Sequence, residues 1–106
     1  MSRQLRFHDD ALAEIASAAD WYDRQREGLG DEFLDSLHAR LEQLIATPSL
    51  GGRLVGAVSD IPARKLLLTR FPYVIVFVEV GDEIRVLAVM HAKRRPGYWM
   101  KRLVEK

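Results

Sequence analysis

The sequence predicts one α+β domain of 106 residues, a helical hairpin packed on an antiparallel sheet in the order β-α-α-β-β-β. Residues 71–80 read Phe-Pro-Tyr-Val-Ile-Val-Phe-Val-Glu-Val, dominated by β-branched and aromatic side chains that fit a pleated surface. Gly81-Asp82 follows as a two-residue hairpin signal, and a second apolar strand begins at Glu83. Upstream, two apolar stripes at helical spacing are separated only by the glycine-bearing residues 28–30. So short a connection makes the helices antiparallel neighbours, whose apolar faces need a sheet to cover them.

In chain order, residues 4–7 alternate Gln4, Leu5, Arg6 and Phe7, as a short strand does. Asp9 or Asp10 then offers an N-cap, because a carboxylate accepts the orphan amide hydrogens of a first helical turn. Leu12, Ile15, Ala16, Ala19 and Tyr22 predict a helix over about residues 10–26, closed by Gly28 and Gly30. Asp31 is the next candidate cap. Phe33, Leu34, Leu37, Leu41, Leu44 and Ile45 form the second stripe, which Pro48 stops. Residues 49–62 read as a loop punctuated by Gly51, Gly52 and Gly56, and residues 63–69 as a strand. After residue 91 the cations His91, Lys93, Arg94 and Arg95 gather at the strand's end, then Pro96-Gly97 breaks regular structure. Residues 98–106 form a basic tail with room for one or two helical turns.

Composition narrows the function. Hydrophobic residues make up 48% of the chain, which excludes disorder, and no cysteine is present, which excludes disulfides, thiolate metal sites and cysteine nucleophiles. No metal and no cofactor is expected. The N-terminus has no apolar run behind its arginines, and no apolar run is long enough to span a bilayer, so a soluble cytoplasmic protein is expected. The net charge of +1 is unevenly spread. Residues 1–60 carry six arginines against eleven carboxylates, net −5; residues 61–106 carry ten lysines and arginines against four carboxylates, net +6. Either the basic half faces an anionic partner, or the halves neutralise each other in the fold.

The helical hairpin, the Leu44-Ile45-Ala46-Thr47-Pro48 helix exit, Arg64-Lys65-Leu66, Phe71-Pro72-Tyr73, the Gly81-Asp82 turn and the run from His91 to Trp99 occur in an order that resembles the RelE/ParE superfamily of type II toxin–antitoxin toxins. The resemblance covers nearly the whole chain. It implies a small α+β toxin, associated with plasmid stabilisation and growth inhibition, whose antitoxin is encoded beside it and joins it in a hetero-oligomer.

Two activities follow from that resemblance. A RelE-like toxin cuts messenger RNA at the ribosome without metal, and needs a base for the ribose hydroxyl, cations for the phosphate and an acid for the leaving oxygen. In that case the catalytic candidates are His91, Arg94, Arg64 and Tyr98, with Tyr98 or Trp99 stacking on a base. A ParE-like toxin instead blocks DNA gyrase and needs a binding surface; Lys65, Lys93, Arg94, Arg95 and Trp99 are its candidate partner or nucleic-acid contacts. One departure favours the ParE-like reading. RelE-type nucleases carry an arginine directly after the position matched by Tyr73, where this chain has Val74. A third possibility is an inactive family member that only binds its antitoxin. Structural roles compete for the same residues: Arg94 and Arg95 pairing with first-helix carboxylates such as Asp20 or Asp23, Arg64 in a buried ion pair, His91 capping its strand, and Trp99 folding the tail onto the sheet.

Overall fold

The computed structural model describes residues 3–53, 63–94 and 97–103. Strand β1 (Gln4–Phe7) leads into helix α1 (Asp9–Gln25) and helix α2 (Leu29–Ala46). A 3-10 turn (Pro48–Leu50) and the two-residue strand β2 (Gly52–Arg53) follow. Strands β3 (Arg64–Leu67), β4 (Tyr73–Val80) and β5 (Glu83–His91) come next, then a 3-10 turn (Met100–Leu103) in the tail. The rest of the expected 49–62 loop, residues 54–62, lies outside the described residues.

The strands lie in the order β1-β5-β4-β3-β2. The β3-β4-β5 meander is antiparallel as expected, but β1 pairs in parallel with β5, Leu5 opposite Ile84 and Phe7 opposite Val86, so the sheet is mixed. That register places Leu5 and Phe7 against the same core cluster as Ile84 and Val86, beneath the helices. Gly81, with φ +59°, opens the β4–β5 hairpin in the left-handed region that two-residue loops require.

Both faces of β4 and β5 are covered, which explains why these strands read as continuous apolar runs. Ile75, Phe77, Ile84, Val86 and Val89 face the helices with Phe33, Leu37 and Leu44. Val74, Val76, Val78, Leu87 and Met90 face the tail, where Trp99 is 1% exposed. A bulge sets this division: Val76 pairs with Ala88 but Phe77 with Val86, so Leu87 is the extra residue and joins Ala88 on the tail side.

Three expectations at the helices are corrected. His8, not Asp9 or Asp10, caps α1, its Nδ1 accepting the Asp10 N–H at 3.0 Å, while both aspartates fall in the first turn, where the helix dipole favours them. Helix α2 begins at Leu29 behind Gly28 (φ +88°), ahead of Asp31, so Gly30 is helical rather than a breaker. The buried stripe of α1 is also phased differently. It runs through Ala11, Ala18 and Tyr22, with Ile15 and Ala19 partly buried, and leaves Leu12 half-exposed.

Candidate functional site

β1 is shorter than β5, and this mismatch builds the site. Backbone pairing between them ends at Phe7 and Val86, with the His8 N–H donating to the Val86 carbonyl at 2.9 Å before the chain turns into α1. Among the described residues no strand continues along β5 from there. Two side chains take its place. The Glu14 carboxylate of α1 accepts the Val89 N–H through Oε1 at 3.1 Å, and the Arg102 guanidinium of the tail donates to the Leu87 carbonyl at 2.9 Å. The two side chains also hold each other: Arg102 Nη1 to Oε1 and Nη2 to Oε2, both 3.1 Å. This is the bidentate guanidinium–carboxylate fork, stronger and more directional than a single contact. Arg102 is 8% exposed, and its Nε stands 3.7 Å from Asp10 Oδ2.

Tyr98 completes the cluster by donating its hydroxyl to Glu14 Oε2 at 2.5 Å. Burial, then the bond to the Glu14 carboxylate, push the Tyr98 phenol well above its ordinary range. Burial works against the charge of Arg102, but the hydrogen-bonded Glu14 outweighs it and holds the guanidinium above its ordinary value. The Arg94 guanidinium lies over the Tyr98 ring, its Cζ 3.8 Å from the centroid, with Nη1 4.0 Å from Glu14 Oε2 and the side chain 53% exposed.

Of the candidate catalytic set, Arg94 and Tyr98 are in side-chain contact, and the His91 carbonyl accepts the Arg94 N–H at 3.0 Å. His91 ends β5 opposite Tyr73, with its ring edge-on to that tyrosine at 5.4 Å and its Nδ1 accepting the Lys93 N–H at 3.1 Å. Arg64 pairs across β3–β4 with Phe77, four residues further along β4 than Tyr73. It is therefore about 13 Å from His91 along the sheet and two strand spacings, about 10 Å, across it. Its Nη1 donates to the Gly51 carbonyl at 3.4 Å, not to a carboxylate.

The remaining candidates divide similarly. Lys65 is half-buried on β3 between Gly52 and Val76, and Lys93 is exposed in the turn after β5. Arg95 lies outside the described residues. Trp99, a candidate contact, is instead packed with Val74, Val76 and Met90 in the core. Val74, the position at which the sequence departs from the expected RelE-type pattern, is part of the same cluster. The α1 carboxylate near Arg94 is Glu14 rather than Asp20 or Asp23: Asp20 pairs with Arg24 at 2.8 Å and Asp23 accepts the Gly30 N–H at 2.8 Å.

Sequence reasoning missed Glu14 and Arg102. A signal for the first existed: Ala11, Glu14, Ala18 and Tyr22 run at helical spacing, so a carboxylate sits on the buried stripe, where it needs a partner. The stripe anchored on Leu12 concealed it. Among the described residues no group of three or more His, Asp or Glu side chains could hold a metal ion, and no helix is long and apolar enough to cross a membrane.

Comparison with known proteins agrees with this architecture. A chain of the chromosomal ParDE toxin–antitoxin system from P. aeruginosa superposes with TM-score 0.68 at 20% identity, covering 85% of this chain and 96% of that one. The E. coli toxin RelE, in a doubly substituted form in the free state, superposes with TM-score 0.64 at 19% identity, covering 98% of this chain and 100% of that one. At such identities the likeness establishes the α+β fold. No curated protein sequence matches the chain. Residues 5–96 match the profile of the ParE toxin of the type II toxin–antitoxin system parDE, so the chain belongs to the ParE toxin family.

Proposed function

We propose that this chain is the growth-inhibiting toxin of a type II module, that it acts by binding DNA gyrase rather than by cutting RNA, and that an antitoxin encoded beside it neutralises it. The observation that carries the choice of binding over cleavage is the dispersal of the would-be catalytic set. Arg64 stands at the far end of the sheet from His91, and the Tyr98 hydroxyl is committed to Glu14. Cleavage needs its base, acid and cations within hydrogen-bond reach of one phosphate. A binding toxin needs only a surface.

Surface for a partner is available on the hairpin. Leu12 and Trp21 on α1 and Leu34 on α2 are exposed apolar side chains of the kind an antitoxin segment covers when it folds on its target. The complex is accordingly a hetero-oligomer, formed in the cytoplasm where gyrase works.

RNA cleavage is the second reading. It is favoured by one feature, the half-exposed Arg94 guanidinium stacked on Tyr98 next to the exposed Lys93.

A gyrase supercoiling assay tests the proposal. Purified protein should lower the conversion of relaxed to supercoiled plasmid in proportion to its concentration, and messenger RNA from induced cells should show no new 5′ ends on primer extension. Normal supercoiling with new 5′ ends replaces this reading by the RNA-cleaving one. Neither effect, with growth unaffected, leaves a family member that only binds its antitoxin.

A further inference from the structure

The tail covers only part of the sheet face on which it packs. Trp99 lies with Val74, Val76 and Met90. Toward the β4–β5 turn the same face carries a cavity of about 480 Å³, a size that falls in the roughly 300–1,000 Å³ range of small-molecule sites. Val78, Val80, Leu87 and Leu103 give it an apolar lining, and Arg6 and Arg85 stand on its β1 side. Charge at this place does not balance. Parallel pairing sets Arg6 opposite Arg85, and antiparallel pairing sets Arg85 opposite Val78, so two guanidinium-bearing residues share one row of the sheet. Like charges so placed repel. One carboxylate answers both: Glu83 accepts from Arg85 Nε at 2.7 Å and stays 3.9 Å from Arg6 Nε, beyond hydrogen-bond reach. The other charged side chains of the lining are matched elsewhere, Glu79 with Arg3 at 3.5 Å and Arg102 with Glu14. The Arg6–Arg85 row is therefore one negative charge short, beside an apolar surface on which Val80 is 45% exposed.

We propose that this cavity binds a small monocarboxylate with an apolar body, its carboxylate held by Arg6 and Arg85 and its body laid on Val78, Val80 and Leu87. A single negative charge supplies what the row lacks, and a guanidinium pairs with a carboxylate through a bidentate fork. The apolar lining adds affinity only for a ligand that carries a hydrocarbon part. The second apolar depression of the molecule offers a comparison. It has a volume of about 360 Å³ and is lined by Phe7, Ile15, Leu34, Leu37 and Leu41, with Asp35 and His38 but no lysine or arginine among the described residues. A molecule drawn by apolar burial alone enters either depression; one drawn by its carboxylate as well enters the first. The inference goes beyond the gyrase reading and does not rest on it, since the cavity lies on the strands and not at the Arg94 rim.

Titration with octanoate, followed by amide resonances, tests the site. The signals of Val78, Val80, Leu87 and Arg85 should shift and saturate, while those of Ile15, Leu37 and Leu41 stay in place. Octanol, which lacks the charge, and acetate, which lacks the body, should each bind more weakly by about threefold or more. Arg6→Ala and Arg85→Ala should each weaken octanoate to a similar degree, and the double variant should lose saturable binding. Arg24→Ala, an exposed arginine paired with Asp20 on α1, should leave the affinity unchanged. Arg6 is 69% exposed, so its variant keeps the test decisive should Arg85→Ala fail to fold. The proposal is overturned if no signal saturates, if octanol binds as tightly as octanoate, if the shifts gather at Ile15, Leu37 and Leu41, or if Arg6→Ala binds as the wild type does. It is also overturned if a blocked peptide of alternating leucine and glutamate displaces octanoate and binds more tightly through the same arginines, which would make the cavity a docking site for a partner chain.

Discussion

Glu14 and Arg102 are 88 positions apart in the sequence, and each makes two kinds of contact at the same place: one to the other's charge, one to the bare backbone of β5. Glu14 supplies the acceptor that a neighbouring strand would have offered to Val89, and Arg102 the donor that it would have offered to Leu87. The pair therefore ties α1, β5 and the tail together while covering a sheet edge that would otherwise be open to another chain.

Removing one member should be far worse than removing both. Arg102→Met strands a largely buried carboxylate and unpairs the Leu87 carbonyl, and loss of one partner of a buried pair costs about 3–5 kcal/mol. Glu14→Leu combined with Arg102→Met removes both charges and replaces them with apolar volume, so the double variant should be more stable than the sum of the two single losses implies. Urea denaturation of the four proteins measures the coupling. Additive losses would show that the fork contributes nothing of its own.

All three tyrosines hold their protons more tightly than free tyrosine does. Burial raises Tyr22, with the nearby Tyr73 adding to it; burial raises Tyr73; burial and the bond to Glu14 raise Tyr98. Each phenol binds its proton more strongly folded than unfolded, so its stabilisation is complete below the ordinary value of 10.0 and falls as pH climbs past it. Phenolate absorbance should therefore stay low through pH 10 and rise together with the loss of helical ellipticity. Phenolate that forms at the ordinary pH in a still-folded chain contradicts this, and Tyr98→Phe should move the alkaline transition to higher pH.

The sequence revealed the strands and helices through their side-chain periodicity, but not what closes β5. The β4–β5 hairpin was legible from Gly81 and the flanking apolar runs, and the helical hairpin from residues 28–30. The parallel docking of β1 was not, since a four-residue strand alternates equally well beside either edge. Arg94 and Tyr98 were legible as neighbours in the chain, and they do meet. Glu14 was hidden because Leu12, the more apolar residue, suggested the wrong helical phase, whereas the buried face uses the small Ala11 and Ala18 so that α1 can lie close to the sheet. Arg102 looked like one more cation of a basic tail, since only the fold shows that Trp99 buries the residues around it.

Gly30 illustrates the same tight packing between the helices. A Cβ on Gly30 would collide with the Ala19 carbonyl oxygen and crowd Asp23, whose side chain accepts the Gly30 N–H. Gly30→Ala should therefore destabilise by about 1–3 kcal/mol, although alanine is the better helix former, because backbone atoms cannot yield as a flexible side chain can. Thermal unfolding tests it. A stabilised variant would mean that the two helices separate without cost.

Arg94 and Arg102 offer the means to separate function from stability, since both approach Glu14 and only one is buried. Arg94→Ala removes an exposed cation–π contact worth about 0.5–1 kcal/mol, so its melting temperature should remain within about 8 °C of the wild type. If the basic rim contacts the target, the same variant should relieve growth arrest on induction while accumulating as folded protein. Arg64→Ala, at the remote end of the sheet, should not. Relief by Arg102→Ala would carry no such meaning, because that variant loses the buried fork to Glu14 and the bond to the Leu87 carbonyl. Undiminished arrest by Arg94→Ala at wild-type protein levels would take the target contact away from this rim and leave the exposed helical surface around Trp21 as the place to look.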